Sequence, residues 1–421
     1  MTRVLQNFLA LLTVLIVTAC STMPANKAGK KAAQDNIVIM VGIDGLRWDA
    51  IDRYPAPTLQ ALAAEGVRAE SMTPVMPSKT FVNFYALATG LYADSTGITG
   101  NLPYSKKYDE VMGRTMHSES RWWGGEPIWV TAEKQNVRTA AMFWLGSEAE
   151  IKGTRPSHWT PYEHNKPHKE RVDKILEWLA MPEETRPRLL TLYFSDVDSA
   201  GHRYGPETVE VGNALKKVDD SLADLRAGIA KLGLTDRVNL VVVSDHGMTK
   251  IDPEFIIYLD DYIDMKDLFI PSFHSQAGPH SDPFVHIFVK NGRSIDEVYN
   301  KLKNANKRLK VYKREDIPKD WHLNNPDRTG DIFAVADQGG MIFVRTMKST
   351  YKYPATGMHG YDRFDQDMQA TFIAAGPNFK KGVKAKAIEN VEVYGIVARA
   401  LGIKPAKTDG DIKRVEYFMV P

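Results

Sequence analysis

Three stretches dominated by apolar residues, each leading into an acidic residue, constrain the fold of this chain most strongly. The stretches are Ile37–Ile43, Leu189–Phe194 and 239–244, and the acidic residues that follow them are Asp44, Asp198 and Asp245. Apolar runs of this length are typical of strands that are buried on both faces of a parallel sheet. Because the carboxyl ends of parallel strands meet at one edge of the sheet, where ligand sites form, we expect these acidic side chains to converge.

Helical and strand patterns alternate between and after these stretches. Helices are predicted at 58–66, 80–89, 126–136, 169–180, 209–232 and 391–401, and further strands at 67–72, 139–144 and, as the last strand, 370–375. Thr58 can cap the first of these helices, and Gly66 can end it. The alternation predicts an α/β fold, a three-layer sandwich in which helices cover both faces of a mainly parallel sheet.

Residues from about 251 to 357 show a less regular pattern and are interpreted as a smaller insertion. Within them, strands are predicted at 284–290 and 341–346, and a charged helix at 295–307. The chain returns from this insertion at His359. The sequence therefore predicts one folded domain over 37–421 with an excursion in its second half.

The overall composition is that of an ordinary folded protein. Of the 421 residues, 43% are hydrophobic and 25% are charged, values that are common among soluble globular domains. The formal net charge is only +2, whereas domains that bind nucleic acid through its backbone are strongly basic. We therefore expect no stable nucleic-acid partner.

Acidic and histidine side chains recur near the predicted strand ends in a pattern that suits metal ions. Asp198 and His202 lie four residues apart, Asp245 and His246 are adjacent, and His359 lies far downstream. Carboxylates and imidazoles are ligands that zinc accepts. Two such ions can clamp the attacking and leaving oxygens of a phosphoryl group. The pattern therefore predicts a two-metal phosphoryl hydrolase.

Each of these residues has a simpler structural interpretation when it is taken alone. Asp44 can be a turn residue, and Thr80, at the start of a predicted helix, can be an N-cap. Asp245 and His246 can form a local hydrogen-bonded pair, and His359 can be a turn histidine. Their joint placement at strand ends favours the metal site. The other histidines are interpreted as surface or packing residues, among them His158, His164, His168, His274, His280, His286 and His322.

Short motifs accompany these residues in a fixed order. They are Ile43-Asp44-Gly45, Pro77-Ser78-Lys79-Thr80-Phe81, Asn83-Phe84-Tyr85, Thr89-Gly90-Leu91-Tyr92, Asp198-x-x-Gly201-His202-x-Tyr204-Gly205-Pro206, Ser244-Asp245-His246-Gly247-Met248 and Gly357-x-His359-Gly360. Together they resemble the motifs of the ectonucleotide pyrophosphatase/phosphodiesterase family, which lies within the alkaline phosphatase superfamily. The resemblance covers about residues 37–401 and implies an alkaline-phosphatase-like fold and a catalytic domain.

The resemblance implies an active site with two zinc ions per chain. One zinc would be held by Asp44, Thr80, Asp245 and His246, and the other by Asp198, His202 and His359. Thr80 would be the nucleophile and would form a phospho-threonine intermediate. Coordination to a metal and a place at a helix N-terminus both make a threonine alkoxide more accessible. Asn101 would bind a phosphate oxygen and form an oxyanion site with the backbone amide of Thr80.

The same resemblance implies an aromatic pocket for a nucleotide base. Phe81, Tyr162 and Tyr193 match residues that stack on the base, and Trp144 matches a wall of the pocket. Stacking on aromatic rings is tolerant of base identity. The expected reaction is hydrolysis of nucleoside 5′-phosphodiester or pyrophosphate bonds to nucleoside 5′-monophosphate. The alternative for these aromatic residues is ordinary core or rim packing.

Other functions stay open at this point. An aromatic box also suits a choline cation, so a glycerophosphodiester or choline phosphodiesterase is one alternative, with Glu148 as a nearby acidic residue. A phosphomonoesterase of the same superfamily is another, although the nucleophile motif contains no arginine to bind the additional negative charge. A surface lipoprotein that binds ligands without catalysis is the alternative from a different class, and the intact set of ligand residues disfavours it.

The N-terminal segment resembles a bacterial lipoprotein signal. An apolar stretch at 8–17 leads to Thr18, Ala19 and Cys20, the one cysteine of the chain. We expect 1–19 to be a signal peptide and 20–36 to be a lipidated Cys20 followed by a flexible tether. Because Ser21 rather than an aspartate follows, the expected location is the cell envelope, at the periplasmic face of the outer membrane. A plain signal peptide and an uncleaved anchor are the alternatives.

Overall fold

The fold is described here from a computed structural model, which covers residues 36–274, 281–345 and 355–421. Its α-helices are α1 (Ala50–Arg53), α2 (Pro57–Glu65), α3 (Thr80–Thr89), α4 (Ala93–Thr96), α5 (Ile128–Glu133), α6 (His168–Leu179), α7 (Asp196–Tyr204), α8 (Val209–Lys231), α9 (Ile295–Leu302) and α10 (Val393–Leu401). Its strands are β1 (Ile37–Ile43), β2 (Val67–Ala69), β3 (Met72–Thr73), β4 (Tyr104–Ser105), β5 (Glu110–Val111), β6 (Thr139–Met142), β7 (His158–Trp159), β8 (Leu189–Phe194), β9 (Val238–Val243), β10 (Thr249–Lys250), β11 (Ile256–Tyr258), β12 (Leu268–Phe269), β13 (Phe284–Val289), β14 (Leu309–Lys313), β15 (Ile332–Ala336), β16 (Met341–Phe343), β17 (Gly357–Met358), β18 (Phe372–Ala375), β19 (Val383–Ala385) and β20 (Ile388–Glu389).

The main sheet has eight strands in the order β19-β2-β18-β9-β1-β8-β6-β7. Strand β1 lies near its centre and runs parallel to both β8 and β9. Strand β18 is antiparallel to β9 and β2. The mainly parallel sheet predicted from the sequence is therefore confirmed. The prediction that 370–375 forms the last strand is wrong, because β19 and β20 follow it and β19 extends the sheet beyond β2.

Helices cover both faces of this sheet, and the apolar run of β1 shows why. Val38 and Met40 point into one core cluster, which also contains apolar residues of α3, α5 and α10. Ile39 and Val41 point into a second cluster with residues of α2, α6 and α8. Successive side chains of a strand alternate between its faces, so both faces of β1 are buried. The predicted three-layer sandwich is confirmed.

The stretch from about 251 to 357 carries a second sheet. Its four strands are ordered β12-β13-β15-β14 and pair antiparallel. They enclose a separate core cluster that includes Val285, Ile287 and Ile332. The helix expected at 295–307 ends at Leu302. This strand order was not predictable from local sequence patterns, because the pairings join residues far apart in the chain and β12 has only two residues.

The prediction that Thr58 caps helix α2 is wrong. The helix begins at Pro57, a residue suited to the first helical position, and the side chain of Thr58 does not cap it. Instead Asp219, on α8, accepts hydrogen bonds from the backbone amides of Thr58 at 3.0 Å and Leu59 at 2.8 Å. A carboxylate from a distant helix thus satisfies the exposed amides, which a local sequence pattern does not reveal.

Candidate active site

Parallel strand ends bring the predicted ligand residues to one edge of the main sheet. Val41 of β1 lies level with Leu192 of β8 and with Val242 of β9. Asp44 therefore follows the end of β1 beside Asp245, which follows the end of β9. After β8 the chain enters α7, a helix that the sequence had not indicated.

Helix α7 arranges its two ligand residues on one face. Asp198 and His202 are separated by four residues, or about one helical turn. His202 Nε2 lies 3.3 Å from Asp198 Oδ1, and His359 Nε2 lies 3.6 Å from the same oxygen. The Nε2 atoms of His202 and His359 are 3.2 Å apart. The structure thus brings together the residues assigned to one of the two ions.

The residues assigned to the other ion also converge. His246 Nε2 lies 2.8 Å from Asp245 Oδ2, 3.5 Å from Asp44 Oδ1 and 3.3 Å from Thr80 Oγ1. The rings of His246 and His359 stack with centroids 3.5 Å apart, so the two groups share a boundary. Ligand atoms of Asp44, Asp245 and His246 all lie within 4.8 Å of one another, as do those of Asp198, His246 and His359. How the ligands divide between two ions stays a prediction.

Backbone carbonyls hold all of these histidine rings in one tautomer. His202 Nδ1 contacts Gly357 O, His246 Nδ1 contacts Gly247 O, and His359 Nδ1 contacts Ser78 O, each at 2.8 Å. A carbonyl oxygen can only accept, so each Nδ1 carries the hydrogen and each Nε2 presents a lone pair. Such contacts orient metal-binding histidines, and the sequence alone does not show them.

The donor atoms fit a divalent cation. Asp44 Oδ1, Asp198 Oδ1 and Asp245 Oδ2 are buried and have no hydrogen-bond partner, although buried carboxylate oxygens are normally paired. They face histidine Nε2 lone pairs at 2.8 to 3.6 Å. These contacts are repulsive unless positive charge lies among them. Carboxylate oxygens combined with imidazole nitrogens are a zinc-type donor set.

The protonation behaviour of the site follows from its burial. Burial raises the pKa of Asp44 well above its usual range, and Asp245 and Asp198 raise it further. Burial also raises the pKa of Asp245 to about 7. Burial lowers the pKa of His246 and of His359. The histidines are therefore neutral and ready to bind a metal, whereas the buried carboxylates favour ionisation when a cation is present.

Thr80 begins helix α3, and its hydroxyl faces His246, one of the predicted metal ligands. Lys79 is the N-cap residue, and no side chain caps the helix, so Thr80 does not serve as the N-cap. The side chain of Lys79 forms a buried ion pair with Asp282 at 2.9 Å. Backbone amides at a helix N-terminus favour a negatively charged oxygen nearby. The arrangement suits an attack by Thr80 on an anionic substrate.

Asn101 is fixed beside this helix start. Its Oδ1 accepts a hydrogen bond from the backbone amide of Phe81 at 3.0 Å. This contact turns the amide nitrogen Nδ2 away from Phe81. Within the described ranges, no residue accepts a hydrogen bond from Nδ2, so it can donate to a ligand. The structure links Asn101 to the amide of Phe81, whereas the expected part of the Thr80 amide in an oxyanion site stays a prediction.

The predicted aromatic residues occupy different depths. Tyr162 is 47% exposed, and its ring meets that of Tyr193 edge-on at 6.0 Å. Phe81 meets the ring of His117 edge-on at 5.1 Å. Trp144 is only 4% exposed, and its N–H donates to the carbonyl of Phe84 at 2.9 Å. Trp144 therefore lies in the core behind the rings at the surface, and its indole nitrogen already has a partner.

Three features of the site escaped sequence reasoning. His117 lies against Phe81, but no motif surrounds it. The hydroxyl of Tyr193 donates to Asp44 Oδ2 at 2.5 Å. His168 is a buried packing residue, as interpreted, but its Nε2 also forms a hydrogen bond with Asp196 Oδ2 at 2.7 Å and so holds the start of α7. Each contact joins residues that are distant in the chain, which single-sequence patterns do not encode.

Comparison with known proteins settles the family. Residues 38–362 match the model of the type I phosphodiesterase/nucleotide pyrophosphatase family. The chain belongs to this family. Membership confirms the resemblance inferred from the motifs and places the chain among phosphodiesterase and nucleotide pyrophosphatase hydrolases.

Family members with known names or structures cover most of the chain. A venom phosphodiesterase of Naja atra is 33% identical over 401 residues, which is 93% of this chain but 47% of the relative, so the chain spans about half of that protein. The bis(5′-adenosyl)-triphosphatase of Xenopus laevis is 35% identical over 386 residues, covering 91% of this chain and 81% of the relative. The structure of an inactive variant of murine ectonucleotide pyrophosphatase/phosphodiesterase 5 in complex with AMP superposes with a TM-score of 0.84 at 30% identity, covering 91% of this chain and 100% of that one.

The predictions for the N-terminal segment lie outside the match to the family model, which begins at residue 38. Cys20, the signal peptide at 1–19 and nearly all of the tether at 20–36 lie outside the described residues, as does His280. Among the residues that the structure describes, no helix is both long enough and apolar enough to cross a membrane.

Proposed function

We propose that this family member hydrolyses nucleoside 5′-phosphodiester or pyrophosphate bonds with two zinc ions and releases nucleoside 5′-monophosphate. The observation that carries the proposal is the set of unpaired, buried carboxylate oxygens at Asp44, Asp198 and Asp245 beside the hydroxyl of Thr80. A site that only packed the protein would leave these oxygens paired. A cation bound among these oxygens would explain why they are unpaired, and the Thr80 hydroxyl next to them can act as the nucleophile.

The reaction proceeds in two displacements at phosphorus. Bound zinc supplies electrostatic stabilisation of the attacking and leaving oxygens and lowers the pKa of an oxygen nucleophile. The Thr80 oxygen forms a bond to phosphorus as the bond to the leaving alcohol or phosphate breaks. Water then attacks the same phosphorus, the bond to Thr80 breaks, and the threonine hydroxyl re-forms. Asp44, Thr80, Asp245 and His246 would hold one ion, and Asp198, His202 and His359 the other.

Asn101 and the helix start stabilise the charge on the phosphoryl oxygens. With Oδ1 bound to the amide of Phe81, Asn101 keeps Nδ2 available to donate to a phosphate oxygen. The amides at the N-terminus of α3 add a favourable partial charge. Donors that are fixed before the substrate arrives need no reorganisation during the reaction.

The aromatic residues bind the base of the substrate. Tyr162 offers an exposed ring next to Tyr193, and Phe81 lies directly after the nucleophile. Stacking on such rings is worth about 1–3 kcal/mol per base and tolerates different bases. The AMP complex of the murine relative supports a nucleotide in this family fold. Trp144 supports the wall from behind, through its contact with Phe84.

A choline phosphodiester is the second candidate, because one contact favours it. Glu148 Oε1 accepts a hydrogen bond from the backbone amide of Tyr162 at 3.0 Å, so a carboxylate lies close to an exposed aromatic ring. A ring together with a carboxylate is a suitable partner for a quaternary ammonium group. A phosphomonoester is less favoured, because Lys79, the cation next to Thr80, is neutralised by Asp282.

Three chromogenic substrates separate these candidates. The domain from Asn36 onward is treated with a chelator, and zinc is then restored. Turnover is compared for the nitrophenyl ester of thymidine 5′-monophosphate, nitrophenyl phosphocholine and nitrophenyl phosphate. Zinc-dependent preference for the thymidine ester is expected. Preference for the choline ester would move the substrate class to choline phosphodiesters, preference for the monoester would overturn the diester assignment, and no turnover of any substrate would favour a binding protein.

The anchoring of the chain is a separate part of the proposal. The sole cysteine, Cys20, directly follows a small-residue pair after the apolar stretch. Lipidation there would tether the domain to the cell envelope, with the outer membrane facing the periplasm as the expected site. Metabolic labelling with palmitate tests this: label is expected on the full chain and is expected to disappear in Cys20→Ala. An unlabelled chain, or a labelled variant, would contradict the anchor.

A further inference from the structure

The register of the central strands places Tyr193 directly beside a predicted metal ligand. Gly42 of β1 pairs with Tyr193 of β8, and Asp44 lies two residues beyond Gly42 on the same side of the chain. The Tyr193 hydroxyl donates to Asp44 Oδ2 at 2.5 Å. Gly42 is required here, since a Cβ atom at this position would lie 2.5 Å from Cε1 of Phe84. Phe84 can therefore pack edge-on against Tyr193, with ring centroids 5.2 Å apart.

This contact divides the two oxygens of Asp44 between different tasks. Oδ2 accepts the phenol hydroxyl, whereas Oδ1 is buried without a hydrogen bond and lies 3.5 Å from His246 Nε2. The carboxylate therefore cannot rotate freely, and Oδ1 faces the other ligand atoms. A hydrogen bond of this kind from an outer residue fixes the direction in which a carboxylate binds its metal.

We propose that the Tyr193 hydroxyl is a positioning group for Asp44. It thereby sets the affinity of the protein for the zinc ion that Asp44 would bind. This inference rests on the proposed two-zinc function. It adds a role to Tyr193 that is separate from the contact of its ring with a substrate base. Because the same side chain touches Tyr162 at 6.0 Å between ring centroids, it connects the aromatic wall with the metal ligands.

Two interpretations of the hydroxyl make different predictions. Buried tyrosine hydroxyls usually find a partner, so the bond to Asp44 could serve only to satisfy the phenol. In that case its removal would change stability but not zinc affinity. If the hydroxyl orients Asp44, its removal lets the carboxylate rotate and weakens zinc binding, even though the aromatic ring remains.

The test compares Tyr193→Phe with Tyr394→Phe. The hydroxyl of Tyr394 is also buried and lies 2.7 Å from the Thr131 hydroxyl, on α10 and α5, so this variant loses a comparable contact away from the site. Zinc dissociation constants are measured by competition with a chromophoric chelator. Tyr193→Phe is expected to weaken one of two zinc sites by about 10–100-fold, and Tyr394→Phe to bind zinc like the wild type. Equal zinc binding by Tyr193→Phe and the wild type would overturn the positioning role.

Turnover of two diesters separates this inference from the proposed function. The nitrophenyl ester of thymidine 5′-monophosphate carries a base, whereas methyl nitrophenyl phosphate does not. At limiting zinc, Tyr193→Phe is expected to lose the same fraction of kcat on both, and excess zinc is expected to restore it. A loss confined to the thymidine ester would overturn the inference and leave only base contact. A wild type that binds two zinc ions but turns over neither ester would contradict the proposed function, while the comparison of zinc affinities would still decide the role of Tyr193.

Discussion

The two walls of the site are built in different ways. In the ligand wall, which comprises the predicted metal ligands, Asp44 and Asp245 follow strands whose register is fixed by the sheet, and Asp198 and His202 lie on α7. Asp245 and His246 are both 0% exposed. The aromatic wall combines Phe81 at a helix start and Tyr162 on a loop with Tyr193 near the end of β8, and Tyr162 is 47% exposed. The difference matches the demands on each wall. Ligands must hold donor atoms in one geometry, whereas stacking on a base tolerates variation.

Removal of Thr80, the proposed nucleophile, should have the largest effect. Thr80→Ala is expected to reduce turnover of the thymidine ester by at least about a thousand-fold, because the covalent route is lost. Zinc content should stay at two ions per chain, since the carboxylates and histidines remain. Thr89→Ala is the matched control at the other end of α3, where the hydroxyl donates to the carbonyl of Tyr85 and accepts from the Leu91 amide. Unchanged turnover in Thr80→Ala would remove Thr80 as the nucleophile.

Loss of one proposed metal ligand should reduce turnover almost as much and should also reduce zinc binding. His359→Ala is expected to lower bound zinc from two ions per chain towards one and to reduce turnover by about a hundred-fold or more, because it removes one of the three donors proposed for that ion. Zinc is measured by mass spectrometry of the metal after dialysis. His322→Ala is the control, because that ring stacks on the ring of Tyr92 with centroids 4.0 Å apart and is not one of the predicted ligands. Full zinc content in His359→Ala would show that His359 is not a ligand.

A change in the aromatic wall should affect binding more than chemistry. Tyr162→Ala is expected to raise KM for the thymidine ester by about 5–150-fold, which corresponds to about 1–3 kcal/mol of lost stacking, with kcat nearly unchanged. Tyr162→Phe should retain most of the affinity. Methyl nitrophenyl phosphate, which has no base, serves as the internal control and should respond little. A fall in kcat on both esters would mean that Tyr162 contributes to the chemical step, and it would contradict a role limited to base binding.

A buried histidine outside both walls should affect only stability. Burial lowers the pKa of His286 to about 4; its Nε2 contacts Thr99 O at 3.0 Å and its Nδ1 accepts from the Gly330 amide at 3.2 Å. Below pH 6.5 the unfolded chain binds a proton that folded His286 does not, so the free energy of unfolding should fall between pH 6.5 and 4, by up to about 3 kcal/mol.

Denaturant unfolding of the zinc-loaded protein across this pH range measures the effect. His286→Gln should show a smaller decrease than the wild type, and zinc-dependent turnover at pH 7 should persist, because His286 does not touch the ligand atoms. An identical pH dependence in wild type and variant would mean that His286 does not contribute to it.

The sequence predicted where Asp44 and Asp245 lie, after the ends of strands, but not how the aromatic side chains pack. Apolar strands and the acidic residues after them are local patterns, and Asp44 and Asp245 lie where these patterns place them. The fold class and helix α3 followed from the same periodicity. Helix α7 was not predicted, because it is short and rich in Asp, Ser and Gly, which favour turns. The second sheet and the cap that Asp219 supplies were not predicted, because they depend on pairing between distant residues.

Contacts between side chains were the least predictable part of the site. The bond between Tyr193 and Asp44 requires the parallel register of β1 and β8, and the contact between Phe81 and His117 requires the path of a loop. The tautomers of the histidines depend on carbonyls such as Ser78 O, far from His359 in the chain. The convergence of the predicted ligand residues could thus be inferred from the sequence, but the contacts that orient their side chains could not.

The most direct test of the two-zinc mechanism is to trap the intermediate on Thr80. Zinc-loaded protein is mixed with the nitrophenyl ester of thymidine 5′-monophosphate, quenched with acid within the first turnover and digested for peptide mass spectrometry. The mechanism predicts a thymidylate ester on the peptide that contains Thr80, formed with a burst of nitrophenol and absent from Thr80→Ala. Turnover without any covalent adduct, or an adduct on a different residue, would contradict it.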